Sequence, residues 1–382
     1  MSLKMNRAVL LAAGVLLATS ACGGNAAVPG SSAGAGNAGQ FLSRITDDAS
    51  PADTTSILKK LTKNVVIGST VDPKNGDMGP HGLSVVKSTF GLKKGQLVTC
   101  NFADSTGAAG KGTTIEVLNP SPGSSPTNFV TSTKIQGCDS DTVTTNDSVV
   151  AAGQTSGLLV EFNHNGKLTQ TWGSPFAQPF GAVDASNPGL YSAEYIFGSD
   201  SKTGGIVSFS INYYGNPKPI EVANGFAVNK KTGWSTLGPS GVQYFPKKDE
   251  LFIADGVTNT VVYFTHAGEL LVKDEITVNP DGKTFSCKYP KTTCGKLVLA
   301  GSPLNAPVAM TLLPNGNLIV ANTKGGNTLV EMTPTGQVLD TEVVDKSKTA
   351  GIFGIAATGK TDDNTVLFYT DANDNSIHEL EP

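Results

Sequence analysis

Stretches in which apolar and polar residues alternate recur along most of the chain, and each stretch ends in a turn. The clearest copy is GPSGVQYFPKKDELFIADGVTNTVVYFTHAGELLVKDEI (238–276), and NAPVAMTLLPNGNLIVANTKGGNTLVEMTPTGQVLDTEVV (305–344) repeats its pattern. Other copies begin near residues 79, 147, 178 and 351. Alternation with a period of two residues predicts β-strands. The turns that separate the last two strands of a copy align at four glycines, which are Gly166, Gly215, Gly268 and Gly336.

A unit of four strands that recurs about every 50 residues is typical of a β-propeller. The sheet of one unit has two apolar faces and cannot bury both by itself, whereas radial packing of several sheets covers both faces. The sequence therefore predicts an all-β fold, a six-bladed β-propeller of four-stranded antiparallel blades.

The last unit is one strand short, because it stops at NSIHELEP (375–382) where other units continue into a further strand. An unassigned apolar stretch, KNVVIGSTVD (63–72), precedes the first unit. We predict that this N-terminal strand lies in the last blade and closes the ring. Just before it, Ser50 and Asp53 form a capping box around Pro51, which predicts a short helix over about residues 51–61.

The repeated motifs resemble those of NHL-type propellers over about residues 65–382. They are an opening Pro-x-Gly, an Ala-Asp or Ala-Asn corner (254–255 and 321–322) and the Gly turn, although the second unit lacks Pro-x-Gly. Among propellers similar to these, amidating lyases and streptogramin lyases use several channel-facing histidines with a metal. Lactonases of the gluconolactonase type bind calcium at the channel. The resemblance thus implies the fold, and it leaves binding and catalysis both open.

The N-terminal residues predict export. Lys4 and Arg7 precede an uncharged run over residues 8–21 that is too short to span a membrane and is typical of a secretory signal peptide. TSAC (19–22) resembles a bacterial lipobox, which implies cleavage after residue 21 and lipidation of Cys22. Ordinary cleavage with an unmodified Cys22 is the alternative. The predicted organisation is a lipoprotein-type signal peptide (1–21), a flexible tether (22–45) and the propeller with its short helix (46–382).

The remaining four cysteines predict two disulfides, because an even number is typical of chains in an oxidising compartment. Cys287 and Cys294 are close enough in sequence to close a tight loop, which leaves Cys100 and Cys138 as the second pair. A zinc site is the alternative, against which the chain has no CxxC and no histidine near these cysteines.

Charge limits the possible partners. The 382 residues carry a formal charge of −4 at pH 7 and contain no block of Lys and Arg, so the sequence gives no basic surface for nucleic acid. The 44 Gly and 21 Pro residues suit many short strands joined by turns.

The loops that lead into the innermost strands of a propeller surround one mouth of its central channel. The candidate ligand contacts are therefore the x residues of the opening motifs, namely His81, Phe180, Ser240, Val308 and Phe353. His81 is either a structural residue that hydrogen-bonds a neighbouring blade or a catalytic or ligand-binding residue. It is the only histidine predicted at the channel, and one histidine does not make a zinc site.

The other histidines and several acidic residues are predicted elsewhere. His164 and His266 are expected in outer hairpins, and His378 in the third strand of the last blade. The lactonase resemblance suggests three oxygen ligands for calcium, which are Asn305, Asp184 and Glu194. DANDN (371–375) is either a turn, which we favour, or part of a calcium loop. A glutamate recurs at one position of the third strand and predicts a structural contact with a neighbouring blade, in Glu116, Glu161, Glu331 and Glu379.

The sequence thus predicts an exported, lipid-anchored monomer that binds a small ligand or an envelope protein, with no cofactor. The alternative is a lyase or lactonase-like enzyme with a divalent metal at the channel. A third class is a structural partner in an envelope assembly.

Overall fold

The computed structural model describes residues 53–187, 194–211, 218–229 and 237–382. The predicted signal peptide, Cys22, most of the sequence before the propeller and the Gly215 turn lie outside the described residues. Among the described residues, no helix has the length and apolar character needed to cross a membrane.

The described residues form short strands joined by turns. In chain order the strands are β1 (Lys63–Ser69), β2 (Met78–Pro80), β3 (Ser84–Val85), β4 (Leu97–Ala103), β5 (Thr114–Leu118), β6 (Thr127–Thr131), β7 (Cys138–Val143), β8 (Val149–Gly153), β9 (Leu158–Phe162), β10 (Leu168–Trp172), β11 (Pro179–Asp184), β12 (Glu194–Asp200), β13 (Gly205–Ile211), β14 (Ile220–Asn224), β15 (Pro239–Phe245), β16 (Glu250–Asp255), β17 (Thr260–Thr265), β18 (Ile276–Val278), β19 (Phe285–Cys287), β20 (Gly295–Ala300), β21 (Pro307–Leu312), β22 (Leu318–Asn322), β23 (Thr328–Met332), β24 (Val338–Val343), β25 (Ile355–Thr358), β26 (Val366–Asp371) and β27 (Ser376–Glu381). Single 3-10 turns occupy Leu58–Lys60, Thr133–Ile135, Ala267–Glu269 and Asp362–Asn364.

These strands make six sheets that are the blades of a ring. Blade I contains β2 to β6, blade II β7 to β10, blade III β11 to β14, blade IV β15, β16, β17 and β20, blade V β21 to β24, and blade VI β25 to β27 with β1. The innermost strands contact one another in the order β3, β7, β11, β15, β21 and β25, and β25 contacts β3 again. The predicted six-bladed propeller is confirmed.

A separate buried apolar cluster fills each interface between neighbouring blades. Between blades II and III, for example, the rings of Trp172 and Phe209 lie 4.5 Å apart. The alternation in the sequence produces this arrangement, because successive side chains of a strand point to opposite faces and so enter two different interfaces.

Strand β1 closes the ring as predicted. It pairs antiparallel with β27 from Lys63 opposite Glu381 to Ser69 opposite Ser376, with a bulge between Val66 and Gly68. The side chain of Ile67 is fully buried in the interface between blades VI and I. The missing strand of the last unit is therefore supplied from residues before the first unit.

The predicted helix over residues 51–61 is wrong in its described part. Residues 53–56 are not helical, and only Leu58–Lys60 form a 3-10 turn. The Glu331 carboxylate explains the difference, because it accepts hydrogen bonds from the backbone N–H groups of Ile57 and Leu58. The segment is thus held by blade V, and Asp53 caps only the N–H of Thr55.

The predicted last strand of blade IV is also wrong. The N–H groups of Ala267 and Gly268 bind the backbone carbonyl and the Oδ1 of Asp249, which folds the chain into a 3-10 turn in place of a hairpin. The chain then crosses to blade III, where β18 pairs parallel with β14 and β19 extends the sheet to six strands. The fourth strand of blade IV is β20, which follows this excursion.

Both predicted disulfides are present. Cys100–Cys138 joins β4 of blade I to β7 of blade II, with the Cα atoms 5.7 Å apart. Cys287–Cys294 joins the end of β19 to the residue before β20, with the Cα atoms 5.4 Å apart. Two disulfides indicate an oxidising compartment.

Candidate functional site

The opening motif brings neighbouring blades into close contact at the channel. Its glycine has no room for a side chain, because a Cβ at Gly82 would lie 2.3 Å from Asp141 Oδ2 and one at Gly241 would lie 2.8 Å from Val308 O. In several inner strands the pairing register shifts at the motif, as it does between Pro179 and Ala182. The motif therefore places its x residue against the corresponding residue of the next blade.

Blade II also has an opening motif, but its sequence differs from Pro-x-Gly. Cys138 pairs with Gly153 at the position where Pro179 pairs with Asp200 in blade III. The disulfide cysteine thus stands in the place of the proline, and Asp139 is the x residue of this blade. Sequence comparison missed Asp139 because neither Pro nor Gly flanks it.

His81 is held by its two neighbours in the ring of x residues. Its Nδ1 lies 2.6 Å from Asp139 Oδ1, and its imidazole stacks between Phe102 at 4.2 Å and Phe353 at 3.8 Å, measured between ring centroids. Its side chain is only 4% exposed. The contact to Asp139 is the hydrogen bond to a neighbouring blade that the structural interpretation expected.

The central channel contains a cavity of about 420 Å³, lined by the innermost strands of all six blades. Three of the predicted contacts, Phe180, Val308 and Phe353, belong to its wall. His81 and Ser240 are buried and do not belong to that wall. All five side chains are nevertheless buried near the start of the inner strands, as a ring of equivalent residues requires.

Asp141 is the most unusual residue of the cavity wall. Neither carboxylate oxygen has a hydrogen-bond partner of good geometry, and the residue is 4% exposed. The nearby Ser84 hydroxyl donates to the backbone carbonyl of Asp141 at 2.9 Å and lowers the pKa of its carboxyl less than burial raises it. Around the cavity the other inner strands contribute apolar side chains such as Leu83 and Met310, and the wall also includes the charged residues Lys87 and Asp184. Burial raises the pKa of Asp141 to about 7.

Asp139 adds a second carboxylate to the same side of the cavity. It stands two residues before Asp141 on β7, and both face blade I, where they contact His81 and Gly82. Its Oδ1 binds His81, but its Oδ2 has no partner. The cavity wall thus carries three carboxylate oxygens without donors, on Asp139 and Asp141.

The oxygens suggested as calcium ligands do not converge. Asp184 is the last residue of β11, and its Oδ1 accepts from the N–H of Ser186. Glu194 lies near it and accepts from the N–H of Thr145. Asn305 precedes β21 and therefore lies at the opposite end of the channel, since all inner strands begin at the opening motif.

His164 and His378 lie where they were predicted, whereas His266 precedes the 3-10 turn that replaces its predicted hairpin. His164 is in the turn between β9 and β10, His266 lies at the outer end of β17, and His378 lies in β27. DANDN forms a turn, in which Asp371 Oδ1 accepts from the N–H of Asn373. In the described part of the chain, the one group of three potential metal-binding residues is Asp371, Asp374 and His378, whose ligand atoms lie within 4.8 Å of one another.

The repeated glutamates do not contact a neighbouring blade in the way that was predicted. Glu161 binds Thr169 in the adjacent strand of its own blade. Glu331 binds the N-terminal segment, and Glu379 pairs with Val65 of β1. The position is structural in these blades, but its partners are outer strands and the segment before the ring.

No protein-family model matches this chain, and no curated protein is similar to it in sequence. Several solved structures share its fold. A gluconolactonase from Xanthomonas campestris superposes with a TM-score of 0.53 at 11% identity, over 84% of this chain and 97% of its own. Virginiamycin B lyase from Staphylococcus aureus gives 0.50 at 14%, over 84% and 99%.

A chain of the nidogen/laminin complex gives a TM-score of 0.51 at 12% identity, over 78% of this chain and 98% of its own. These structures include two enzymes and a protein from a binding complex. At such low identity the comparison identifies a fold, and the chain is a six-bladed β-propeller similar to those of lyases, lactonases and protein-binding modules.

Proposed function

We propose that this protein is an exported, lipid-anchored propeller that binds a small ligand with a positively charged nitrogen in its central channel. One observation carries the proposal: Asp139 and Asp141, which line a cavity of about 420 Å³, retain three buried carboxylate oxygens without a hydrogen-bond partner. A buried carboxylate without a partner is costly, so a site that retains one is suited to a ligand that supplies the missing charge and donors.

The channel is less suited to the enzymes that share the fold. A metal-dependent lyase or lactonase needs several ligands that converge at the channel. Among the described channel residues, no acidic or histidine side chain forms a group of three with Asp139 and Asp141 in which all ligand atoms lie within 4.8 Å of one another. Binding without a metal is therefore the function that this site supports best.

The ligand class can be tested with 1,4-diaminobutane and, as a neutral control of similar length, 1,4-butanediol. We expect calorimetric titration at pH 8 to show binding of the diamine only. Asp141→Asn should weaken this binding at least tenfold, because a loss of about 1.4 kcal/mol corresponds to a factor of ten. Asp363→Asn, which changes an exposed carboxylate outside the channel, is the matched control. Equal binding by the diol, or full binding by Asp141→Asn, would contradict the proposal.

The same variant makes a prediction about stability in the absence of ligand. The folded protein holds the proton of Asp141 up to about pH 7, whereas an unfolded chain releases it near pH 4. Stability from this residue is therefore present at low pH and is lost as the pH rises from about 4 to 7. We expect Asp141→Asn to be more stable than wild type at pH 8 by about 4 kcal/mol, and much less so at pH 5.

Urea unfolding at the two pH values measures this difference. A structural carboxylate would behave in the opposite way, because its replacement would destabilise the protein at pH 8. Such a result would remove the argument that Asp141 is retained for a ligand.

The lipid anchor depends on Cys22. We expect Cys22→Ala to move the protein from the membrane fraction to the soluble fraction of the cell that produces it, because a single acyl-modified residue is its proposed attachment. Fractionation and metabolic labelling with a fatty acid measure the change. Unaltered distribution of the variant would favour the alternative of ordinary signal cleavage.

A further inference from the structure

Three buried polar side chains lie near one another where the segment after β1 passes over blade I. They are Asp72, which follows the closing strand, Asn101 in β4 and Glu116 in β5. The two carboxyl groups interact directly, and Asn101 bonds Thr70 and Thr114, each two residues from one of the carboxyl groups. Their exposures are 2%, 0% and 0%. Each retains one oxygen without a hydrogen-bond partner, namely Asp72 Oδ1, Asn101 Oδ1 and Glu116 Oε2.

Local donors occupy the other oxygen of each carboxylate. Asp72 Oδ2 accepts from the N–H of Asn75 at 2.7 Å and from that of Lys74 at 3.3 Å. Glu116 Oε1 accepts from Asn128 Nδ2 at 3.3 Å. Burial, together with the adjacent Asp72 carboxyl, raises the pKa of Glu116 to about 8. The two acidic groups therefore interact directly, and the hydrogen bonds that Asn128 and Thr114 donate to Glu116 offset only part of the cost of burial.

Asn101 adds an independent observation at the same place. Its Nδ2 donates to Thr70 O at 2.9 Å and to Thr114 Oγ1 at 3.1 Å, which fixes the orientation of the amide. Asn322 has the equivalent place in blade V, and there Oδ1 accepts from the N–H of Asn305 at 2.9 Å. In blade I the corresponding oxygen has no donor, although it is completely buried.

We propose that Asp72, Asn101 and Glu116 bind a divalent cation of the calcium type, which fastens the closing segment to blade I. The available atoms are all oxygens from two carboxylates and an amide, and hard cations such as Ca²⁺ prefer these ligands. A proton shared between Asp72 and Glu116 would satisfy two of the three oxygens and would leave Asn101 Oδ1 alone. A cation satisfies all three and offsets the like charges.

Calcium titration of the metal-free, full-length protein tests the site. We expect one Ca²⁺ to bind per chain, with a rise in melting temperature at about 1 mM Ca²⁺. Asp72→Asn and Glu116→Gln should each weaken binding at least tenfold. Both variants should fold without Ca²⁺, since each removes one of two adjacent buried acidic groups, and neither should respond to Ca²⁺ as wild type does.

Asp374→Asn is the control, because Asp374 belongs to the other group of potential ligands, near Asp371 and His378. We expect this variant to keep the full stoichiometry and affinity. Three results would overturn the proposal: no Ca²⁺ binding, wild-type binding by Glu116→Gln, or loss of binding in Asp374→Asn. A melting temperature that responds to pH and not to Ca²⁺ would point to the shared proton and would also overturn it.

Discussion

Deletion of residues 64–72 is expected to unfold the whole propeller, although it removes only one outer strand and the turn after it. The strand pairs with β27 along its length, and Ile67 fills the interface between blades VI and I. The deletion also removes Asp72 and frees one edge of the ring. We expect a loss of at least about 5 kcal/mol, which is comparable with the entire stability of many domains.

Urea unfolding followed by circular dichroism measures the loss. The control is a second deletion, of residues 23–40 in the predicted tether. We expect the control to unfold like the full-length protein. If the two deletions had the same unfolding midpoint, pairing of β1 with β27 would not be what holds the ring closed.

Glu331→Ala should cause the largest loss expected from one substitution. The Glu331 carboxylate is fully buried and accepts from the N–H groups of Ile57 and Leu58, from Ser56 Oγ at 2.8 Å and from Asn317 Nδ2 at 3.3 Å. Removal of the carboxylate leaves these donors buried without a partner. We expect a loss of about 3–5 kcal/mol in the free energy of unfolding.

Glu161→Ala is the matched control, because Glu161 has the same place in blade II. Its carboxylate accepts only from Thr169 Oγ1 among the hydrogen bonds found for it. We expect a loss of about 1 kcal/mol from this variant. Calorimetry compares the two, and limited proteolysis should cut the segment around Ile57 faster in Glu331→Ala alone. Equal losses in both variants would show that the N-terminal segment contributes little through Glu331.

The fold could be predicted from the sequence because each blade repeats one pattern. Strand alternation, turn glycines and corner residues agree with one another in most units, and the short last unit indicated that β1 had to supply a strand. The disulfide pairs followed from cysteine number and spacing. These features are local, so their physical cause is visible in a single stretch of sequence.

The candidate site was harder to predict, since it depends on contacts between blades. Asp139 was missed because Cys138, which is bonded to Cys100, stands where the other opening motifs have proline. The β18–β19 hairpin was missed because its partner strand, β14, belongs to the preceding blade. Likewise, nothing near Glu331 in sequence shows that its donors come from residues 56–58.

The pairing of β1 with β27 has a consequence for how the protein is made. Strand β1, the first strand of the described residues, needs β27 as its partner, with more than 300 residues between them. Blades I to V can assemble before β27 reaches the compartment in which the chain folds, but the ring stays open until β27 is available to pair with β1. A chain that lacks β27 would therefore expose unpaired edge strands, which chaperones and proteases recognise.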